Sequence, residues 1–441
     1  MRLTLAACLV PALVVIVSGC EGNVEHGSDD PDASSEDAMT DEAETGAQDD
    51  ADTQGDAGTG NDAGTRNDAG TRNDAGARND AATDASVDSG TPAGEAGPPL
   101  SFRCDDSPPQ VTAPSSKWVN ATGNLAGMAS ECGNLGLVSA NPCSSMVIAG
   151  VAKAGLWATE NGGKSWSKLG SGAGSAEITN RISALVYDPE HPGTFWESGI
   201  YNGGGVYKTT DNGKTFEQLG DVTHTDSVSV DFSDPQRKTL LAGPHETTSK
   251  VYRSTDSGRT WKDIGANLPG SAGYCTATQV LSATNLLVGC VGGGVYHSSN
   301  GTAWNSVGSK GVIPHPLWAS DGTLYWPGSQ GGVHVSTDQG QHFTETGANL
   351  APHIIGNLYP AELPDGRIVV IGKDHLLISS DHGANWKPIG EPLPFPGGGY
   401  DGAVGPTYSA RTKTFYIWRW DCGNSVLSNA IMSAGFDYTK E

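Results

Sequence analysis

Asp226, Glu246, Asp401 and Asp421, with Glu131 nearby, supply carboxylates that could work in pairs. Glycosidic hydrolysis generally needs two such groups, about 5–10 Å apart, flanking the scissile bond. Arg181, His224, His245, His315, Trp326, His353, Tyr400, Arg419 and Trp420 are side chains suited to a polar, ring-shaped ligand such as a sugar. Tyr201, Asp374 and His375 complete the set, and a histidine or tyrosine among them could instead be the base of a polysaccharide lyase. No C-x-x-C pair indicates zinc, no phosphate loop or dinucleotide fingerprint appears, and neither metal nor cofactor is expected. The part of the chain able to fold lacks a basic stripe, which argues against nucleic acid.

The frame that must carry these residues is written in six near-copies of one turn. They read Thr159-Glu-Asn-Gly-Gly-Lys-Ser-Trp166, Thr209-Thr-Asp-Asn-Gly-Lys-Thr-Phe216, Ser254-Thr-Asp-Ser-Gly-Arg-Thr-Trp261, Ser298-Ser-Asn-Gly-Thr-Ala-Trp304, Ser336-Thr-Asp-Gln-Gly-Gln-His-Phe343 and Ser379-Ser-Asp-His-Gly-Ala-Asn-Trp386. Their Asp/Asn positions (161, 211, 256, 300, 338, 381) are 50, 45, 44, 38 and 43 residues apart. Such a period marks a repeat architecture in which each unit buries its faces against its neighbours. The Asp or Asn oxygen can accept from backbone N–H groups about two positions on. The glycine permits the positive φ of a tight turn, and the aromatic gives each unit a large group to bury.

The pattern S/T-x-D-x-G-x-x-W resembles the Asp-box (BNR) repeat of sialidases, xyloglucan-cleaving glycosidases and sortilin-type receptors. That resemblance implies a β-propeller and a structural role for the box carboxylates. The strand runs agree. Arg181–Asp188, Thr194–Ser198, Gly205–Lys208 and Thr215–Leu219 make one four-stranded unit, and the next repeats it. Counting boxes gives six blades. Counting strands gives seven, because 406–409, 414–418 and 431–437 add three strands without a box. Lys117–Gly123 resembles the strand that follows each box and can complete that last sheet. The expectation is therefore an all-β, seven-bladed β-propeller of four-stranded antiparallel blades, with six blades as the alternative. The ring closes by joining both chain ends and leaves no open edge. The candidate residues then fall in loops on the face opposite the boxes, where function in such scaffolds is usually held.

The resemblance implies a glycosidase or a binding module. Sialidases bind the substrate carboxylate with three arginines, whereas only Arg181 and Arg419 fall on that face, and Arg181-Ile182 is followed by Ser183 rather than proline. Sialidase activity is therefore not expected. Binding of an extracellular glycan or protein by a monomer ranks first, with a glycoside hydrolase or polysaccharide lyase as the alternative.

The first 100 residues read differently. Met1-Arg2, the apolar run Leu3–Val17 and Val17-Ser-Gly-Cys20 resemble a bacterial lipoprotein signal, with Cys20 as the lipidated residue. Residues 21–100 are an acidic low-complexity linker, expected to be a disordered tether. Its 21 Asp/Glu against 3 Arg give −18 of the chain's net charge of −24, so the acidity says little about the ligand. The domain proper is 101–441, and the cell envelope, by a lipid anchor in the outer membrane or at the cell surface, is the expected location. With Cys8 in the signal and Cys20 lipidated, six cysteines remain, an even set for an exported chain. The expected pairs are Cys132–Cys143, Cys275–Cys290 and Cys104–Cys422.

Overall fold

The computed structural model describes residues 101–104, 111–131, 135–347, 350, 358–395, 397, 402–420, 427–428 and 430–440. Its strands form seven four-stranded antiparallel sheets. Blade 1 is built from Leu135–Ala140, Val147–Val151, Gly155–Thr159 and Ser167–Lys168, innermost strand first. Blade 2 follows with Arg181–Tyr187, Phe195–Ile200, Val206–Thr209 and Glu217–Gln218, and blade 3 with Thr225–Val230, Leu240–Pro244, Tyr252–Ser254 and Lys262–Asp263. Blades 4, 5 and 6 begin at Ala277, Leu317 and Ala361. Blade 7 has Val404–Ser409, Thr414–Trp418 and Ile431–Gly435, and its outermost strand is Val119–Asn120 from the start of the domain. The fold is a seven-bladed β-propeller closed by both ends of the domain.

Burial follows position within the blade. The second strands, such as Val147–Val151, Phe195–Ile200 and Leu240–Pro244, are buried on both faces because a neighbouring blade covers each side. The outermost strands Ser167–Lys168, Glu217–Gln218 and Lys262–Asp263 are exposed and polar. Close approach between blades sets some residues outright. A Cβ on Gly289 would lie 2.5 Å from the Trp326 ring of the next blade, so glycine is required there.

Each repeated turn is held by its own side chains. Thr209 Oγ1 accepts from the Gly213 N–H at 3.0 Å, and Asp211 Oδ1 accepts from the Thr215 N–H at 2.9 Å. The same pairing recurs at Asn161–Ser165, Asp256–Thr260, Asp338–His342 and Asp381–Asn385. The Asp/Asn oxygen thus reaches four residues on, not two. Only the shortened copy departs, with Asn300 Oδ1 accepting from Thr302 and Ala303. The aromatic residue then reaches back to the preceding blade: the indole N–H groups of Trp166, Trp261 and Trp304 donate to the carbonyls of Ala121, Leu219 and Ile264. Trp166 is buried at the closure. Trp166→Ala should cost about 3–5 kcal/mol, read as a lowered midpoint in urea unfolding.

The cysteines correct one expectation. Cys275–Cys290 forms as anticipated, but Cys143 pairs with Cys104, with a Cα–Cα distance of 5.0 Å. The pairings Cys132–Cys143 and Cys104–Cys422 are therefore replaced; Cys132 and Cys422 lie outside the described residues. The physical reason is the path of the domain's first residues. The Arg103 N–H donates to Pro189 O at 2.7 Å and its guanidinium faces Glu190, which brings Cys104 to the first hairpin of blade 1. That hairpin and Pro189 lie on the same side of the ring as the repeated turns. Arg103 and Cys104 therefore lie on the turn face.

Candidate functional site

On the opposite face, loops of blades 2 and 3 bring together residues that are far apart in sequence. Two irregularities in the innermost strands prepare the site. The register slips between Ile182 and Ala184, and again between Thr225 and Ser227, so Ser183 and Asp226 are bulged. A bulge re-aims a side chain that alternation would otherwise direct elsewhere. Asp226, 7% exposed, is turned to His245, whose Nδ1 lies 2.8 Å from Asp226 Oδ2. A carboxylate there fixes the proton on Nδ1 and leaves Nε2 as an acceptor. Tyr201 Oη lies 3.0 Å from that Nε2 and donates to it.

Further groups surround this hydrogen-bonded chain. The Arg181 guanidinium sits 4.7 Å from the centre of the Tyr201 ring. The His224 ring stacks on His245 at 4.9 Å and meets Tyr201 edge-on at 4.6 Å. Glu246 Oε1 lies 3.4 Å from His245 Nε2, where it would stabilise an imidazolium. Asn202 donates to Glu131 Oε1 at 2.6 Å, and Lys153 pairs with Glu131 Oε2 at 3.0 Å, joining blade 1 to the rim.

Burial sets the protonation states. It pushes the Tyr201 phenol above its usual value, Glu246 and Asp226 push the same way, and Arg181 opposes them. Burial first, and then neighbouring His245, holds His224 below the usual imidazole value, so it is neutral; its Nε2 is buried and makes no hydrogen bond.

The backbone at this face is strained. Tyr201, Asn202, His224, Glu246 and His315 all have left-handed φ, between 49° and 78°. A non-glycine residue there costs about 1–2 kcal/mol, and such outliers persist where surrounding structure fixes them, frequently at functional sites.

The floor is formed by a residue that sequence reasoning missed. Tyr359, just before blade 6, donates its hydroxyl to Ser183 O of blade 2 at 3.3 Å, across the propeller axis. His315 stacks on it at 3.9 Å and Trp418 leans against it at 5.1 Å. Burial pushes the His315 imidazole down to about 3, so this plug carries no charge at neutral pH. The one sequence signal was the long connection between Thr346 and Ala361, which has room to reach the centre.

Other candidates fall elsewhere. Trp326 is fully buried, its indole N–H on Ile313 O, and packs in the core between blades 4 and 5. Asp374 and His375 pair with each other at 3.1 Å on blade 6. Arg419 lies over the Phe395 ring and donates to Ser428, and Trp420 packs beside the core of blade 7. His353, Tyr400, Asp401 and Asp421 lie outside the described residues. Among the described residues no group of three or more His, Cys, Asp or Glu is arranged to hold a metal ion.

The arrangement suits proton transfer better than paired-carboxylate chemistry. Asp226 and Glu246 lie on opposite edges of the His245 ring, with Asp226 behind it and committed to orienting it. They do not face each other across open space, as hydrolysis by two carboxylates requires. What remains is a phenol that can pass its proton to an oriented imidazole, beside a fixed cation.

No protein-family model matches this sequence, and no curated protein matches it. Among solved structures, the chain is similar to an ancestral GH74 enzyme at 16% identity and TM-score 0.46, covering 69% of this chain and 46% of that one. It is similar to YCF48 from Cyanidioschyzon merolae at 12% identity and TM-score 0.46, covering 72% and 98%. The GH74 xyloglucanase from Xanthomonas campestris aligns at 16% identity and TM-score 0.30, covering 65% and 53%. The chain spans about half the length of each GH74 protein. These likenesses concern the propeller fold alone.

Proposed function

We propose that this protein is a cell-envelope lipoprotein whose Asp-box propeller binds an extracellular glycan on the open face of blades 2 and 3. The observation that carries the reading is the Arg181–Tyr201–His245–Asp226 constellation, held on strained backbone at the rim of a plugged axis. An aromatic edge, a cation and oriented hydrogen-bonding groups are the chemistry a sugar ring needs. A protein partner is less favoured. Protein contacts centre on exposed aromatic and aliphatic anchors, and the large apolar side chains exposed among the described residues are Phe102, Val119 and Tyr274, none of them in the cluster.

The test is affinity electrophoresis of the full chain through gels containing plant, fungal and bacterial polysaccharides. At least one glycan should retard the protein, and Arg181→Ala should weaken that retardation about tenfold, the loss of one charge-assisted contact. Retardation unaffected by Arg181→Ala would place the ligand elsewhere. Release of the protein from membranes by Cys20→Ser tests the anchor separately.

A further inference from the structure

We propose that the same site is catalytic, and that Tyr201, backed by His245 and Asp226, abstracts a proton from uronate-containing polysaccharides and cleaves them by β-elimination. The inference rests on the glycan-binding reading and names its substrate class. Three features of the geometry point to it. The hydrogen-bonded order carboxylate, imidazole, phenol gives Tyr201 an acceptor for its own proton, with Asp226 Oδ2 and Tyr201 Oη on the two nitrogens of one ring. Asp226 and Glu246 lie at the two nitrogens of that ring, and Asp226 is committed to orienting it, so these two do not form the facing pair that hydrolysis needs. Among the described residues the cation set against the phenol ring is Arg181, 4.7 Å from the ring centre, where a substrate carboxylate would lie next to the base.

The chemistry closes without a co-reactant. Arg181 neutralises the uronate carboxylate, which acidifies the adjacent C5–H bond. Tyr201 passes its proton to His245 Nε2 while the phenolate oxygen takes the C5 proton. The C5–H electron pair forms the C4=C5 double bond, and the C4–O bond breaks with its pair on the departing glycosidic oxygen. Tyr201 gives that oxygen the proton it has just taken and recovers its own from His245. One chain becomes two, with no water consumed and no net oxidation. Tyr201 is then the catalytic residue, and Asp226 positions His245 and stabilises the imidazolium.

A single phenol that both takes and gives the proton imposes a stereochemical condition. The C5 hydrogen and the leaving oxygen must lie on the same side of the sugar ring, as in glucuronate and mannuronate. Galacturonate puts them on opposite sides.

The full chain should be incubated with hyaluronan, polymannuronate and polygalacturonate, with ultraviolet absorbance reporting the unsaturated uronate and a reducing-end assay in parallel. Unsaturated product is expected from hyaluronan or polymannuronate. Tyr201→Phe should lower kcat about a hundredfold or more with KM nearly unchanged. Asp226→Asn should also lower kcat and spare KM, a split that a merely structural role would not give. Circular dichroism of both variants confirms folding. Polygalacturonate as the only substrate, or reducing ends without unsaturation, would overturn the proposal. Uronate binding that Arg181→Ala weakens, without any product, would overturn elimination and leave glycan binding standing. Neither binding nor product on any polysaccharide would remove both.

Discussion

Deleting residues 110–125 should abolish cooperative folding of the propeller. Among the described residues of that stretch, Val119 and Asn120 form a strand, pairing with Ser433 and Met432. The stretch does more than pair, however. The Ala121 N–H donates to Ile431 O at 2.8 Å, and Thr122 Oγ1 accepts from the Ile431 N–H at 3.0 Å. Asn124 accepts from the Trp166 N–H at 2.6 Å and donates to Trp166 O at 3.0 Å, so blade 7 is latched to blade 1. Ala121 and Leu125 are buried in the core of that junction. Removal opens the ring, exposes the edge of blade 7 and strips the cover from Trp166. A calorimetric scan should show no sharp transition, whereas an unchanged melting temperature would mean that the ring does not depend on this closure.

This closure also explains why six repeated turns accompany seven blades. The turn joins the third strand of a blade to the fourth within one continuous chain. In blade 7 the fourth strand arrives from the other end of the domain, so no covalent turn exists there to be written. The fold was legible because every turn must satisfy the same backbone groups in the same way, and that demand repeats in the residues. That the loops carrying Arg181, Tyr201, His224 and His245 share one face was legible too, because alternate loops of each blade must lie opposite the turns.

The grouping within the face was not legible. It depends on a bulge that re-aims Asp226 and on left-handed backbone at Tyr201, His224 and Glu246, none of which has a residue signature; glycine would be the usual choice at such φ values. Trp326 fits the same lesson from the other side. It ends a strand at the open face, yet the missing side chain of Gly289 makes a slot that draws it into the core. The expected partner of Cys143 failed for a third reason: the course of Arg103 along blade 2 brings Cys104 there in place of Cys132, whereas Cys275–Cys290 formed as expected.

Glu197→Gln should stabilise the protein in neutral and alkaline solution and make its stability less sensitive to pH. Glu197 is fully buried in the second strand of blade 2, and desolvation raises its carboxyl to about 8. Asn180 donates to its Oε1 at 3.0 Å, while Oε2 makes no hydrogen bond. Below the unfolded-state value of 4.5 both states hold the proton and the group is neutral to stability. As pH rises from there towards 8, the unfolded chain releases the proton and the folded chain keeps it. Folding therefore loses about 1.4 kcal/mol per pH unit over that window, on the order of 3–5 kcal/mol in all. Glutamine keeps the shape and the bond to Asn180 without the proton linkage. Urea unfolding across this range should show the variant gaining on the wild type as pH rises and the two converging near pH 4; parallel profiles would refute the assignment. The site has a stake in the result, because Asn180 also donates to Gly204 O at 2.9 Å and so holds the loop that carries Tyr201. Ionisation of Glu197 in the folded chain, as pH passes about 8, places a charge beneath that loop. A loss of ligand binding above that pH in the wild type, absent in Glu197→Gln, would connect the buried acid to the open face.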